Sequence, residues 1–294
     1  MNKIDEAFDT FRKRLELSDT ERADTISRHS QVRASIAGGF DVTRSFLTGS
    51  YARHTKTKPL KDVDVFFELG AKEADRRKGA PADMLSAFRD RLAKDFGEDC
   101  VELGRRCVTV TFDKKNQTVD ETGKVLSIDC VPAFAHSKGY EIPDRTLGKW
   151  ILSNPEIHAE KATAKNKACD GGWVPLVKML KAWNRHAGKP IKPMFLLEVM
   201  AQSLVDPPFL SYPSEVRRFF SAASDAILID WADPANLGPP VSDQMTSAMR
   251  QEAAKALREA EQKAAYAMRL ADQGRNGESI TAWRSLMGKY FPAS

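Results

Sequence analysis

Two short motifs stand out for chemistry: Gly49-Ser50 and, further along, Asp62-x-Asp64 within LTGSYARHTKTKPLKDVDVFFEL (47–69). Val63, Val65, Phe66 and Phe67 are β-formers, so Asp62–Leu69 reads as a strand. Successive strand side chains point to opposite faces, which puts Asp62 and Asp64 on one face and Val63 and Val65 on the other. Two carboxylates so close repel unless a cation lies between them. Hard cations such as Mg²⁺ are bound through one or two carboxylates plus substrate phosphates. Val42–Thr48 reads as a strand running into Gly49, where the missing Cβ lets backbone approach a phosphate closely. Ser50 adds a hydroxyl donor, and a short helix starting at Tyr51–Thr55 would aim free N–H groups at the same anion. Either motif alone is common in turns and solvated loops. In this order, with Arg53 and the Pro59 turn between them, they point to transfer of a nucleotidyl group from a nucleoside triphosphate.

A third carboxylate extends the pattern. In KVLSIDCV (Lys124–Val131), Asp129 lies between Ile128 and Cys130 in an apolar strand, although an Asp at a strand end beside a Pro132 turn reads similarly. A buried charge is normally paired or bound to metal. Three carboxylates on adjacent strands would hold two Mg²⁺ or Mn²⁺ ions, one activating the attacking hydroxyl and one stabilising the leaving pyrophosphate.

Gly49-Ser50, Asp62-x-Asp64 and Asp129 resemble the nucleotidyltransferase superfamily of polymerase-β type. The fuller string from Phe46 to Leu69, with SIDCVPAF after it, is similar to the bacterial cGAS/DncV-like nucleotidyltransferases (CD-NTases). The resemblance implies an α+β fold: a bilobed, mixed-sheet nucleotidyltransferase core with a C-terminal helical lobe. It implies condensation of NTPs, ATP as the default, into a cyclic di- or trinucleotide second messenger of anti-phage (CBASS) operons. Asp62, Asp64 and Asp129 would be the catalytic metal ligands, with Gly49 and Ser50 on the donor phosphates. The family's triphosphate-contacting lysine is matched first by Lys178 and second by Lys181. Phe195 takes the place of a base-stacking aromatic, and Met194 stands where cGAS has a phosphate-binding serine. An operon-encoded regulatory protein is a partner the resemblance allows. Two alternatives stay open: a related transferase modifying RNA ends, a protein or a small molecule, and a non-catalytic nucleotide-binding module.

The whole chain is compatible with this. At 294 residues and 42% hydrophobic content it is long enough for two lobes with full cores. The net charge of +5 is mild, and no basic run marks a dedicated site for long nucleic acid. There is no C-x-x-C among Cys100, Cys107, Cys130 and Cys169; Cys100, Cys107 and Cys130 fall in expected strands and read as small hydrophobes, not a zinc site. No apolar leader or long apolar run is visible, so a cytoplasmic chain with free thiols and no membrane contact is expected.

The positioning elements follow from periodicity. Ile4–Leu17 reads as a short helix; Ser18 with Glu21 forms a capping box opening a helix to about Ala37, stopped by Gly38-Gly39. Gly70–Gly79 reads as a loop, Pro81–Phe96 as a helix, Val101–Phe112 as one strand, Asp113–Gly123 as a hairpin turn and Lys124–Val131 as the returning strand. Pro132–Asn154 reads as a Pro- and Gly-rich connector, and the polar Ile157–Lys167 as a segment crossing the nucleotide, with Asn166 as a weak base-reading candidate against the plainer reading of a helix cap or surface amide. From Trp173 the chain is helical: Val177, Leu180 and Trp183 form an apolar face beside a basic stripe of Lys178, Lys181 and Arg185. A similar segment spans Ile191–Leu204. The Ala- and Met-rich stripe of Ser242–Asp272 reads as a packing helix, and Thr281–Phe291 as the last helix. The expected lobes are 1–150, catalytic, and 151–294, helical and closing the nucleotide pocket.

Overall fold

The computed structural model describes residues 2–58, 60, 62–112 and 127–293. The Pro59 turn, the Asp113–Gly123 hairpin and the first residues of the expected Lys124–Val131 strand lie outside them.

Helix α1 (Lys3–Arg14) is capped by the Asn2 side chain. The predicted capping box opens α2 (Asp19–Ala37): Glu21 N–H donates to Ser18 Oγ while Ser18 N–H donates back to Glu21. Strand β1 (Val42–Leu47), the single-turn α3 (Gly49–Ala52) and β2 (Asp62–Leu69) follow. Gly70–Gly79 is not a plain loop. Its charged residues coil into a 3-10 turn, Ala71–Lys78, laced by Arg76–Glu73 and Lys78–Asp75 pairs. Helix α4 (Pro81–Phe96) buries Met84, Leu85, Phe88 and Leu92, the predicted stripe.

The expected Val101–Phe112 strand is two strands, β3 (Val101–Leu103) and β4 (Val108–Thr111). Gly104 N–H donates to the Cys107 carbonyl at 2.9 Å and closes a turn where the alternation of Val108 and Val110 had suggested continuity. The Pro132–Asn154 connector is also strand: β5 (Ser127–His136) runs on through Pro132, and β6 (Gly139–Asp144) and β7 (Lys149–Ser153) turn back beside it. Gly139, at φ 133°, makes the first of those reversals. Helices α5 (Pro155–Ala168), α6 (Trp173–His186), α7 (Met194–Leu204), α8 (Tyr212–Ala226), α9 (Ser247–Asp272) and α10 (Asn276–Met287) complete the chain.

The chain forms two compact units, Leu17–Ala159 with Ala235–Gly238, and Met1–Glu16 with Glu160–Pro234 and Pro239–Ser294. The first carries a mixed seven-stranded sheet ordered β1-β2-β5-β4-β3, with β6 on β5 and β7 on β6; β2 and β5 are parallel and the other pairs antiparallel. One face of β2 supplies Val63, Val65, Phe67 and Leu69 to a core with Val32 and Ile36 of α2 and Phe88 of α4. Phe66, Val131 and Ala133 belong to a smaller cluster with Tyr140 and Ile142.

The helical unit is built on α6, whose Trp173, Leu176, Val177, Leu180 and Trp183 are buried together. Helix α1 groups here and not with the sheet, because Phe8 stacks edge-on against Trp283 at 4.9 Å and Phe11 meets Phe291 at 5.2 Å. The stripe of α9 packs inward through Ala253, Ala260 and Ala264. Among the described residues no helix is long and apolar enough to cross a membrane.

Candidate functional site

The parallel pairing of β2 with β5 sets Asp64 opposite Asp129 and Asp62 opposite Ser127. Neighbouring strands lie about 4.8 Å apart, so the Asp64 and Asp129 side chains rise side by side from the face opposite the core. Val63, Val65, Ile128 and Cys130, the residues that alternate with them, are buried beneath. β4 flanks the other edge of β5, with Thr109 opposite Asp129. Thr109 Oγ1 donates to Asp129 Oδ1 at 2.6 Å.

The electrostatics of this face are acidic. Burial pushes the Asp129 carboxyl above the ordinary carboxylate range; the Thr109 hydrogen bond opposes the rise and the charge of Asp62 adds to it. The Cys107 thiol is pushed far above its usual value by burial, then by the charges of Asp129, Asp64 and Asp62. One thiol thus senses all three carboxylates. Among the described residues no group of three or more His, Cys, Asp or Glu side chains is gathered so as to hold a metal ion; Asp64 and Asp129 stand alongside one another on the sheet.

Gly49 approaches this face closely. The preceding Thr48 N–H donates to the Asp64 carbonyl at 2.9 Å, continuing the β1–β2 pairing. The chain then turns at Gly49 with φ +59°, and a Cβ there would lie 1.7 Å from Asp64 Oδ2. Only glycine fits without moving that carboxylate. The Ser50 carbonyl accepts from Thr55 N–H at 3.0 Å and Lys56 N–H at 3.1 Å, folding the loop over on itself. Gly49, Asp62, Asp64 and Asp129 therefore meet in the sheet unit, with Ser50 next to Gly49.

The residues singled out in the helical unit have other immediate partners. Lys178, almost fully buried, donates to both carboxylate oxygens of the half-exposed Glu16 at 2.6 and 2.8 Å. Lys181 pairs with Glu198 at 2.7 Å, each side chain 4% exposed. The expected basic stripe is thus not a solvated face. Phe195 is half-buried at the start of α7, and beside it Met194 Sδ accepts from Asn184 Nδ2. Asn166 Oδ1 accepts from Val174 N–H at 2.9 Å and caps α6, the plainer of the two roles its sequence position suggested.

Sequence reasoning missed Thr109 and Cys107. Cys100 and Cys107 sit outside strands and are half-buried, whereas Cys130 is a buried residue of β5. The usable signal was Val-Thr-Val, whose alternation places Thr109 on the face opposite two core valines.

Residues 1–166 match the family described as the Second Messenger Oligonucleotide or Dinucleotide Synthetase (SMODS) domain. The chain belongs to the SMODS family. It is 27% identical over 304 residues to a cyclic AMP-AMP-AMP synthase from Acinetobacter, covering 95% of this chain and 83% of that one. It is 24% identical to a probable cyclic nucleotide synthase of Bacillus cereus, covering 83% and 81%. Similar solved structures include E. coli MS115-1 CdnC with ATP, at TM-score 0.75, 18% identity and coverage of 98% and 99%, and the Bradyrhizobium diazoefficiens CD-NTase CdnG with GTP, at 0.71, 13%, 96% and 94%. These two show the α+β CD-NTase fold. As a SMODS member the chain is a nucleotidyltransferase of the oligonucleotide-synthetase kind, which selects that reading over RNA-end modification or a non-catalytic module.

Proposed function

We propose that the SMODS chain condenses ATP into a cyclic di- or trinucleotide, releasing pyrophosphate, with Asp62, Asp64 and Asp129 as its metal-binding catalytic carboxylates. The observation that carries this is the register of β2 on β5, which sets Asp64 beside Asp129 with Asp62 one step along the same face.

The donor set fits Mg²⁺ or Mn²⁺. It consists of hard oxygens; the charge of Asp62 bears on Asp129, and the charges of Asp129, Asp64 and Asp62 bear on Cys107, in a way a cation would relieve. Bound there, two such ions would neutralise the triphosphate and lower the pKa of the acceptor ribose hydroxyl. The chain's own residues do the positioning. Gly49 leaves the approach beside Asp64 open, and Ser50 supplies a hydroxyl donor for donor phosphate. Attack of the acceptor hydroxyl on the α-phosphorus forms one P–O bond, breaks the bond to pyrophosphate and releases the hydroxyl proton; one such step for a dinucleotide, or two for a trinucleotide, builds the linear intermediate, and a final one closes the ring. Little covalent chemistry is asked of the protein, so placement and charge carry the rate.

For Lys178 to serve a triphosphate, phosphate must take the place that Glu16 holds. Lys181 belongs to the interior of the helical unit through its pair with Glu198, and Phe195, half-buried at the start of α7, is the base-stacking candidate that the family resemblance gives. Adenine as the base is supported by the relatives named cyclic AMP-AMP-AMP synthase. A regulatory protein partner is supported by the similar E. coli CdnC, solved in complex with a HORMA protein.

The test is incubation of the purified protein with labelled ATP and Mg²⁺, with no added RNA or protein, followed by phosphatase. A phosphatase-resistant oligoadenylate supports the proposal. A product that appears only on addition of RNA, or only as labelled protein, contradicts it. Full activity of the chain alone would remove the regulatory partner from the account.

A further inference from the structure

Thr109 carries a neutral hydroxyl tied directly to a proposed catalytic carboxylate, Asp129. It stands opposite Asp129 in the β4–β5 pairing and donates to Oδ1 at 2.6 Å, within the roughly 2.5–2.7 Å of charge-assisted hydroxyl–carboxylate hydrogen bonds. Its neighbours Val108 and Val110 are fully buried in the core, which fixes the side of the sheet on which Thr109 emerges. A β-branched side chain has restricted χ1, so the hydroxyl is held in place by its own strand.

The strand is itself anchored. Asp144, fully buried, accepts from Arg105 Nε at 3.0 Å and Arg106 Nε at 2.8 Å, both in the turn that leads into β4. Arg145 N–H donates to the Arg105 carbonyl at 2.9 Å, tying that turn to the β6–β7 turn. Cys107, in the same turn, lies near enough to Asp129 that the carboxylate's charge acts on its thiol. An aspartate without such partners would sample several orientations, and each would have to be given up on binding a cation.

We propose that Thr109 is a positioning residue that fixes the Asp129 carboxylate in its metal-binding orientation. The proposal rests on the reading of Asp129 as a metal ligand. Partners that orient a ligand from behind are worth roughly 10–100-fold in metal affinity or activity.

The experiment uses the full chain with a non-hydrolysable ATP analogue and follows Mn²⁺ binding by electron paramagnetic resonance, alongside kcat and KM for ATP at saturating metal. Thr109→Val keeps the shape and removes the hydroxyl, and Thr109→Ser restores it. Thr109→Val is expected to bind Mn²⁺ about 10–100-fold more weakly, with KM for ATP unmoved and Thr109→Ser close to the parent. Thr109→Ala, a second route to the same loss, should show the same weakening if the valine variant folds poorly. Parent-like Mn²⁺ binding by both Thr109→Val and Thr109→Ala, while Asp129→Asn loses it, would overturn the positioning role alone. Parent-like binding and turnover by Asp129→Asn would overturn the reading of Asp129 and the role of Thr109 with it.

Discussion

Gly49→Ala separates backbone strain from loss of the site. An alanine at φ +59° must adopt the left-handed region, which costs roughly 1–2 kcal/mol, partly offset by a less flexible unfolded chain. The thermal midpoint should fall by only about 2–4 °C per kcal/mol. The greater effect is local. The new Cβ would sit 1.7 Å from Asp64 Oδ2, whereas ordinary contact begins near 3.4 Å, so the carboxylate must move by more than an ångström. Misplacement on that scale costs on the order of 100-fold in rate, about 2.7 kcal/mol of barrier. Gly148→Ala is the matched control: its φ is +63° and nothing lies within 4 Å of an added Cβ. Pyrophosphate release and thermal melts of both variants make the comparison. The two should lose similar stability, and only Gly49→Ala should lose activity. Equal turnover in the two variants would refute the argument that Gly49 is there to clear Asp64.

Lys181→Met should destabilise the helical unit by about 3–5 kcal/mol, because it leaves the Glu198 carboxylate buried without its cation; urea unfolding should show most of this recovered in Lys181→Met/Glu198→Leu, and an unchanged single variant would contradict the pairing. Burial alone would raise the Asp144 carboxyl, but hydrogen bonds from Arg105, the Leu147 N–H and Arg106 outweigh it and hold it below the ordinary carboxylate range. A depressed native pKa stabilises the fold above the unfolded value of about 3.9 and loses that contribution as pH falls through the native one. Asp144→Asn should therefore lower stability at neutral pH by about 2 kcal/mol and flatten the acid limb of a stability–pH curve; an acid limb as steep as the parent's would contradict this.

The sequence was most legible where one pattern dominated. Asp62–Leu69, Pro81–Phe96 and Trp173–His186 have the bounds expected of them, because strict alternation or a continuous apolar stripe leaves little choice. Gly49 and the β2 carboxylates were legible for the same reason: strand alternation assigns Asp62 and Asp64 to one face without further knowledge. Residues 132–154 were misread because Pro132, Gly139 and Pro143 look like loop punctuation, yet all three sit in strands: Pro132 pairs with Phe67, far along the chain, while Gly139 and Pro143 belong to hairpin pairings with His136 and Trp150. The lysines show the same limit. A basic stripe on α6 is visible in the sequence, but the carboxylates that take Lys178 and Lys181 come from Glu16 and Glu198, and no local pattern announces those partners. The Val-Thr-Val alternation gives the face of Thr109, but its pairing with Asp129 depends on the β4–β5 register, which no local pattern fixes.

The most direct test of the account is mass spectrometry of products formed by the purified protein from all four NTPs with Mg²⁺ or Mn²⁺, beside an Asp62→Asn/Asp64→Asn double variant. The account predicts a cyclic oligonucleotide and pyrophosphate from the parent and neither from the variant. The same cyclic product from the variant would show that the β2 carboxylates do not carry the chemistry.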